Sequence, residues 1–215
     1  MPGVRAPKRG TVVRGRTARP ATTRGQAAAA ALVRAGEGVR KKQVAFIGVD
    51  VYRVALEVDA DAWIQAREAG VGIDSATDCE KALEIRMLRD VDANTFFDAL
   101  SSALDPRIRG IATNLATSEN DEGNFMAATA EAAEVEEEAA FDALGELRAC
   151  IGDLRKGDVV RLACKGASVT VTSPNGAQTE LTSTVFHSAL VATFTDEKAV
   201  SEEARDNIGA ALAAL

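Results

Sequence analysis

Very short turns separate the extended segments of this chain, and this spacing constrains the fold more than any other feature. In the C-terminal third, Gly157-Asp158, Lys165-Gly166 and Pro174-Asn175-Gly176 interrupt runs rich in Val and Thr. These signals predict strands at 159–164, 169–172 and 177–181. Turns this short return the chain antiparallel to itself, because a parallel connection needs a crossover of roughly a dozen residues or more. We therefore expect a mainly antiparallel sheet.

A second β-rich run covers residues 39–58 and is interrupted by Gly48, which predicts a turn there. Residues 81–88 alternate apolar and charged side chains, as an amphipathic strand does. Five helices are also predicted. The first covers 59–70 around Trp63, and the second runs from a cap at Asp92 or Asn94 to a stop at Asp105-Pro106. The third covers 127–150 with an apolar stripe of Val135, Ala139, Leu144 and Leu147, the fourth contains Phe186, Leu190 and Phe194, and the fifth follows the cap Ser201. Polar loops are expected at 71–81 and 117–123. The order predicts an α+β fold, with helices layered on one face of a curved antiparallel sheet.

The first 31 residues differ in charge from everything that follows. Residues 1–36 contain eight Lys and Arg and no acidic residue, whereas the remainder holds 17 basic and 32 acidic residues. An Arg-rich, acid-free segment is typical of an organellar transit peptide, so we expect residues 1–31 to direct a plastid (chloroplast) location, with a cytoplasmic one as the alternative. A plain basic tail and an arm for an acidic partner are the other interpretations. The acidic remainder predicts no binding to nucleic acid, and the longest apolar run, Ala27–Val33, is too short for a membrane span.

The three cysteines, Cys79, Cys150 and Cys164, have no metal-ligand spacing, and His187 is the single histidine. This composition predicts free thiols, no zinc site and no cofactor. His187 is expected to be a packing residue, with general base as the alternative role. The run Glu134, Glu136, Glu137 and Glu138 is interpreted as a solvated helix face rather than a cation site, because adjacent carboxylates point in different directions around a helix.

The most informative pair in the sequence is Arg40 and Tyr52. A hairpin whose loop is residues 44–48 places position 40 directly opposite position 52. Opposed side chains lie on the same face with Cβ atoms about 4.5–5.5 Å apart. A guanidinium and a phenol both donate hydrogen bonds, as a bound carboxylate requires, and the apolar residues between them would wall a pocket. The alternative is an exposed Arg40 paired with one of many acidic residues.

Five segments resemble those of the chalcone isomerase-like family, in the family's order. They are GEGVRKK (36–42) with VDVYRVALEV (49–58), KALEIRMLRDVDANTFFDAL (81–100), LRKGDVVRL (154–162), the PNG hairpin and FTDEKAVSEEA (194–204). The resemblance covers residues 32–215 and implies an open-faced β-sandwich, that is, a large antiparallel sheet with helices on one face. The strand that usually precedes the Gly-x-Gly-x-Arg segment falls at Arg19-Pro20 and is degenerate or missing.

The resemblance also implies roles for individual positions. Arg40 matches an arginine found in both branches of the family, and Tyr52 replaces the threonine of the catalytic branch with the tyrosine of the fatty-acid-binding branch. The catalytic tyrosine position falls on Thr95 or Phe96, the catalytic asparagine on Ser102 or Ala103, and a later Thr or Ser on Thr193. The ring-closing donors are therefore missing, while the carboxylate-holding pair is present.

The function implied is non-catalytic binding of a long-chain fatty acid or similar apolar carboxylate by a monomer. Arg40 and Tyr52 would hold the carboxylate, with Thr193 and Thr95 as further ligand-binding residues. The tail would lie in an apolar cleft between sheet and helices, among Val44, Phe46, Val54, Leu56, Phe97, Leu100 and the C-terminal helices. The alternatives are an intramolecular lyase of the chalcone-flavanone isomerase kind and an inactive relic of one.

Overall fold

The computed structural model describes residues 31–44, 46–117 and 127–215. The elements follow the chain order β1 (Val33–Val44), β2 (Ile47–Val58), α1 (Ala60–Glu68), β3 (Lys81–Met87), α2 (Ala93–Thr117), α3 (Ala127–Cys150), β4 (Val159–Lys165), β5 (Ser168–Thr172), β6 (Gln178–Thr182), α4 (Thr184–Thr195) and α5 (Glu202–Ala214). The predictions for residues 1–30, including the transit peptide and the degenerate first strand, and for the loop at 118–123 lie outside the described residues.

The strands form one six-stranded sheet in the order β1-β2-β3-β4-β5-β6, and every neighbouring pair is antiparallel. Short turns join β1 to β2, β4 to β5 and β5 to β6, whereas segments that contain helices join β2 to β3 and β3 to β4, and each strand pairs with the one that follows it. The prediction of an antiparallel α+β sheet is confirmed. Gly176, the last residue of the PNG turn, has φ +84°, a conformation that glycine adopts without strain.

The first hairpin differs from its prediction in detail. β1 begins at Val33, six residues before the predicted start, and Gly48 lies inside β2 opposite Gln43 rather than at a turn. The pairing Val44↔Ile47 leaves only residues 45 and 46 to form the loop. The prediction of a turn at Gly48 is therefore wrong. The hairpin closes with a two-residue loop, the commonest hairpin connection, instead of the five-residue loop that the glycine suggested.

Side chains from alternate strand positions separate into a buried face and a polar face. The inner row includes Leu56, Leu83, Leu162 and Val171, none more than 1% exposed. The opposite face carries ion pairs that join β1, β2, β3 and β4, such as Arg161 with Glu57 at 2.7 Å. Alternation of apolar and polar positions, interrupted by small buried residues such as Ala55 and Ala82, thus places the helices on one face of the sheet, as the sequence predicts.

Helix α4 lies at the centre of the helical layer. Nine of its twelve residues are buried, and it packs against α2, α3, α5 and β5. Ser183 caps its N-terminus by accepting a hydrogen bond from the Phe186 amide. A helix buried on all sides needs apolar residues all round, and the segment VFHSALVATF provides them almost without interruption.

Helix α2 is longer than its sequence predicts. The expected stop at Asp105-Pro106 is wrong, since the helix runs through Pro106 to Thr117. Proline removes one backbone hydrogen bond, but Ile108 and Ala112 beyond it are fully packed in the core. Arg107 also fixes this turn by donating to both carboxylate oxygens of Asp196 at 2.7 and 2.8 Å. Tertiary packing therefore outweighs the local helix-breaking signal.

The remaining helices begin close to their predicted positions. Asp92 rather than Asn94 accepts the capping hydrogen bond of α2, and Ser201 caps α5 as predicted. The stripe predicted on α3 is partly wrong, because Val135 is 60% exposed while Leu144 and Leu147 are buried. No helix within the described ranges is long and apolar enough to cross a bilayer.

The close approach of α5 to β1 has a simple cause in the sequence. A Cβ atom at Gly38 would lie 2.3 Å from the Ala204 backbone nitrogen, and one at Gly36 would lie 2.7 Å from the Asn207 carbonyl oxygen. Real Cβ contacts are essentially never that short, so both positions require glycine. The two glycines let the α5 backbone lie directly on the strand that carries Arg40.

Candidate functional site

The β1–β2 hairpin places Arg40 directly opposite Tyr52, as predicted. The route to this register differs from the predicted one. Between Val44↔Ile47 and Lys41↔Asp50 the pairing follows a two-residue loop, which on its own would set Arg40 opposite Val51. A bulge at Val51 adds one residue to β2 and restores the pairing of Arg40 with Tyr52. Both side chains contact the helical layer, Arg40 at the Val200 carbonyl and Tyr52 at the Phe96 and Phe194 rings.

The Arg40 guanidinium is half-buried and donates a hydrogen bond to the Val200 backbone carbonyl. Val200 is held there by its own amide, which donates to the Thr193 carbonyl at 3.0 Å. Next to it, the Ser201 hydroxyl donates to the Val39 carbonyl at 2.8 Å. Among the described residues Arg40 has no ion pair with a carboxylate, although the chain as a whole is rich in acidic side chains. One cation therefore faces the interior with its charge uncompensated by a described side chain.

Tyr52 is buried among aromatic rings beside Arg40. Its ring lies edge-on to Phe96 and Phe194, with centroid distances of 6.2 and 6.5 Å. Burial raises the pKa of the Tyr52 hydroxyl to about 12, and the positive charge of Arg40 opposes part of that rise. The hydroxyl therefore keeps its proton throughout the physiological pH range and is a hydrogen-bond donor.

Arg40 and Tyr52 line a cleft formed by the hairpin, the first half of α2, the C-terminal part of α4 and the residue before the cap of α5. Most of the lining is apolar, and it consists of Arg40, Lys42, Val51, Tyr52, Val91, Thr95, Phe96, Ala99, Leu100, Ala103, Thr193 and Val200. The open volume is about 50 Å³. Ligand pockets commonly measure about 300–1,000 Å³, so the cleft holds only a few atoms unless its walls separate.

Thr95 and Thr193, the two other predicted site residues, also line this cleft. Their hydroxyls, however, already have partners in the protein. Thr193 Oγ1 donates to the Ala189 carbonyl at 2.9 Å, one turn back in α4. The side chain and amide of Thr95 both bond to Asp92, which holds the pKa of the Asp92 carboxyl below its usual value. Of the four predicted site residues, Arg40 and Tyr52 are therefore the ones whose donors are not fully used by the described contacts.

The α2 wall of the cleft carries the positions that the resemblance aligns with the catalytic tyrosine and asparagine. Phe96 and Ala103 face the cleft, so the two positions present a ring and a methyl group. Ser102 is exposed, and its hydroxyl donates to the Asp98 carbonyl at 2.7 Å. This wall therefore offers a ligand apolar contacts, with the engaged hydroxyl of Thr95 at its edge.

Several residues predicted to contact the tail do not line this cleft. Phe46 is fully exposed at the tip of the first hairpin, Val54 and Leu56 belong to the core beneath the helices, and Phe97 stacks on Arg148 outside the cleft. Leu100 does line the cleft. The structure also adds Lys42 and Val200, which sequence reasoning missed. Lys42 could have been found from the hairpin, because it lies two residues from Arg40 on the same strand face.

The buried polar groups far from the cleft form a second cluster. Lys81 is fully buried and donates to the Ile73 and Ala76 carbonyls at 2.8 and 2.6 Å. His187 is also fully buried; its Nδ1 lies 2.7 Å from the Gly166 carbonyl, whereas its Nε2 has no partner among the described residues. Burial, aided by the charge of Lys81, lowers the pKa of His187 to about 4. A neutral, enclosed imidazole fits the predicted packing role.

No family model and no curated protein matches this chain. Among solved structures, the chain is similar to the fatty-acid binding protein AtFAP1 of Arabidopsis thaliana, with a TM-score of 0.56 at 14% sequence identity. The match covers 85% of this chain and 89% of that one. At this identity the similarity speaks for the fold, and it agrees with the six-stranded antiparallel sheet and its helical layer. The protein has the chalcone isomerase-like fold.

Proposed function

We propose that the protein binds a long-chain fatty acid, or a similar apolar carboxylate, without transforming it. The observation that carries the proposal is the pairing of Arg40 with Tyr52 in the wall of a mostly apolar cleft. A carboxylate has two oxygens, and here two different donors are carried by directly opposed residues of adjacent strands. Charge-assisted hydrogen bonds of this type are about twice as strong as neutral ones.

The electrostatic surroundings support an anionic ligand. Arg40 lacks an acidic partner among the described residues, and Lys42 adds a second positive charge at the rim of the cleft. The one described hydrogen bond of Arg40 goes to the Val200 backbone carbonyl, which leaves most of the five N–H donors of the guanidinium free for a ligand. Tyr52 contributes a protonated hydroxyl because of its raised pKa.

The remaining lining supports an apolar tail. Val51, Val91, Leu100 and Val200 present hydrocarbon surface, and each CH₂ group transferred from water to such surroundings gains about 0.8 kcal/mol. Because the cleft measures only about 50 Å³, entry of a long chain requires its walls to separate. The similarity to AtFAP1, itself described as a fatty-acid binding protein, supports the same ligand class.

The lyase alternative has less support from the cleft. Ring closure of a phenolic substrate needs polar groups that stabilise a developing negative charge away from the carboxylate-binding end. The corresponding wall presents Phe96 and Ala103 together with a Thr95 hydroxyl already bonded to Asp92. We therefore propose binding rather than catalysis.

Titration with a fluorescent long-chain fatty acid tests the proposal. Arg40→Gln should weaken binding by about tenfold or more, since a lost charge-assisted bond costs roughly 1.5–3 kcal/mol. Arg53→Gln is the matched control, because Arg53 lies on the same hairpin but is exposed and bonds to Glu37 at 3.1 Å. Equal affinities of the two variants would refute the carboxylate site.

We also propose that residues 1–31 direct the protein to the plastid. They contain seven Lys and Arg residues and no acidic residue, and this excess of positive charge is the basis of the proposal. Fusion of residues 1–31 to a fluorescent protein should give plastid fluorescence in leaf cells. Diffuse cytoplasmic fluorescence would refute it.

A further inference from the structure

The tip of the β1–β2 hairpin exposes large apolar side chains. Phe46 is 101% exposed and Ile47 is 70% exposed, the two highest values among the large hydrophobic residues that the structure describes. Solvated aromatic side chains at a protruding turn bring no stability to the fold, because they bury no surface. Neighbouring apolar residues exposed together mark a contact site.

The strand leading to this tip is positively charged. Arg40, Lys41 and Lys42 follow one another, and no acidic residue occurs between Gly38 and Val49. Two carboxylates lie nearby: Asp50 is opposite Lys41 in the hairpin, and Glu203 of α5 is 4.0 Å from the Lys41 ammonium. Lys42 has no ion pair among the described residues. The hairpin end is therefore locally basic on a protein whose overall net charge is −7.

The hairpin has apolar side chains at its tip and positively charged side chains in the strand next to the tip. This order matches a membrane surface, where anionic headgroups cover an apolar interior. Phenyl and aliphatic groups enter the boundary between headgroups and acyl chains, while lysines remain at the level of anionic headgroups. Each Lys or Arg near an anionic bilayer adds a favourable electrostatic contribution. A protein partner would more often meet such a tip with a pocket, whereas a bilayer requires only this ordering of charge and apolar surface.

The tip also adjoins the proposed ligand site. Lys42 lines the cleft and lies two residues before Val44, the last residue of β1, which is about 7 Å along an extended strand. The strand thus connects the tip to the rim of the cleft. We propose that Phe46 and Ile47 insert into an anionic lipid bilayer and bring the cleft to its surface, where fatty acids are exchanged. The exchange step rests on the proposed function; the insertion does not.

Insertion is tested by placing a tryptophan at the tip of the full-length protein. Phe46→Trp is mixed with vesicles of phosphatidylcholine and phosphatidylglycerol whose acyl chains carry bromine, which quenches indole fluorescence only within the hydrocarbon region. Val135→Trp is the matched control, because Val135 is 60% exposed but lies on α3 away from the hairpin. The buried Trp63 contributes the same background to both variants. We expect quenching of the residue 46 variant beyond this background and none for the residue 135 variant.

Two results would overturn the proposal. No quenching at residue 46, or equal quenching at residues 46 and 135, would show that the hairpin tip is not the part of the protein that inserts. A vesicle-independent dimer that dissociates in the variant F46S/I47S, measured by light scattering, would assign the tip to a second copy of this chain. These measurements use no fatty acid, so they can fail while the carboxylate site stands.

The exchange step has its own test. The variant F46S/I47S should bind fatty acid in solution as the parent does but take it up from vesicles roughly tenfold more slowly, because two buried apolar side chains are lost from the membrane contact. An unchanged uptake rate would show that the hairpin tip takes no part in ligand exchange. Loss of binding in solution would contradict the assignment of these residues to the membrane rather than to the cleft.

Discussion

Gly38 of β1 and Ala204 of α5 lie so close together that a Cβ atom on residue 38 would be 2.3 Å from the Ala204 nitrogen. This contact sets the distance between the α5 backbone and the strand that carries Arg40. It also positions Val200, whose carbonyl accepts the Arg40 hydrogen bond, because Val200 precedes the capping residue of α5. The packing of the glycine is thus linked to the geometry of the candidate site.

Gly38→Ala is expected to destabilise the fold and weaken ligand binding together. The added methyl group must push α5 away from β1, and such overpacking typically costs about 1–3 kcal/mol. Chemical denaturation measures the loss of free energy of unfolding. Gly48→Ala is the control, because a Cβ there meets no atom within 4 Å. Equal stability of the two variants would contradict the close packing.

Tyr52→Phe removes the hydroxyl of Tyr52 and keeps the aromatic ring, so it tests the hydroxyl alone. The edge-on contacts with Phe96 and Phe194 survive, so the free energy of unfolding should change by no more than about 0.5 kcal/mol. Fatty-acid affinity should fall roughly 10–100-fold, because a hydrogen bond to a charged acceptor is worth about 1.5–3 kcal/mol. Calorimetric titration gives the affinity, and unchanged binding would remove Tyr52 from the proposed site.

Arg107→Met tests how α2 continues through Pro106. Its guanidinium is mostly buried and holds Asp196, so the substitution should cost about 2–4 kcal/mol. Arg109→Met is the comparison, since Arg109 is 61% exposed in its ion pairs with Asp105 and Glu137 and should change stability by less than about 1 kcal/mol. Thermal unfolding of both variants provides the measurement. A larger loss at Arg109 than at Arg107 would contradict this account of α2.

His187 should make the protein acid-sensitive. Its pKa is about 6.5 in the unfolded chain and is lowered to about 4 in the fold, so the unfolded state binds more protons between these values. Its contribution is fully present above pH 6.5 and is lost as the pH falls towards 4, by roughly 3 kcal/mol.

His187→Asn should flatten this dependence. An asparagine amide can still donate to the Gly166 carbonyl, but it cannot take up a proton. Urea denaturation at a series of pH values between 4 and 7 compares the slopes of the two proteins, which are independent of any uniform loss from the smaller side chain. Equal slopes would show that other groups account for the acid sensitivity.

The sequence predicts the fold well where the signals are local. Turn dipeptides and capping residues such as Ser201 determine neighbouring strands and helix starts, and these are confirmed. Pro106 and Gly48 mislead because their local preferences are overridden: Ile108 and Arg107 hold the helix through the proline, and the hairpin turns before the glycine. Long-range packing decides these positions, and a single sequence carries no direct record of it.

The candidate site shows the same division. The pairing of Arg40 with Tyr52 follows from strand periodicity, although the bulge at Val51 that produces it has no sequence signature. The placement of Thr95 and Thr193 along the same cleft was implied by resemblance. Three features depend on tertiary geometry and became visible only in the structure: the hydrogen bonds that the Thr95 and Thr193 hydroxyls make within the protein, the hydrogen bond from Arg40 to the Val200 carbonyl, and the exposure of Phe46.

The most direct test is mass spectrometry of small molecules released by denaturing the purified full-length protein, its Arg40→Ala variant and the matched Arg53→Ala control. We expect a long-chain fatty acid in stoichiometric amount from the parent and from the Arg53 control, and none from the Arg40 variant. An empty parent, or the same lipid in equal amount from all three proteins, would contradict the role of Arg40 as the carboxylate-binding residue.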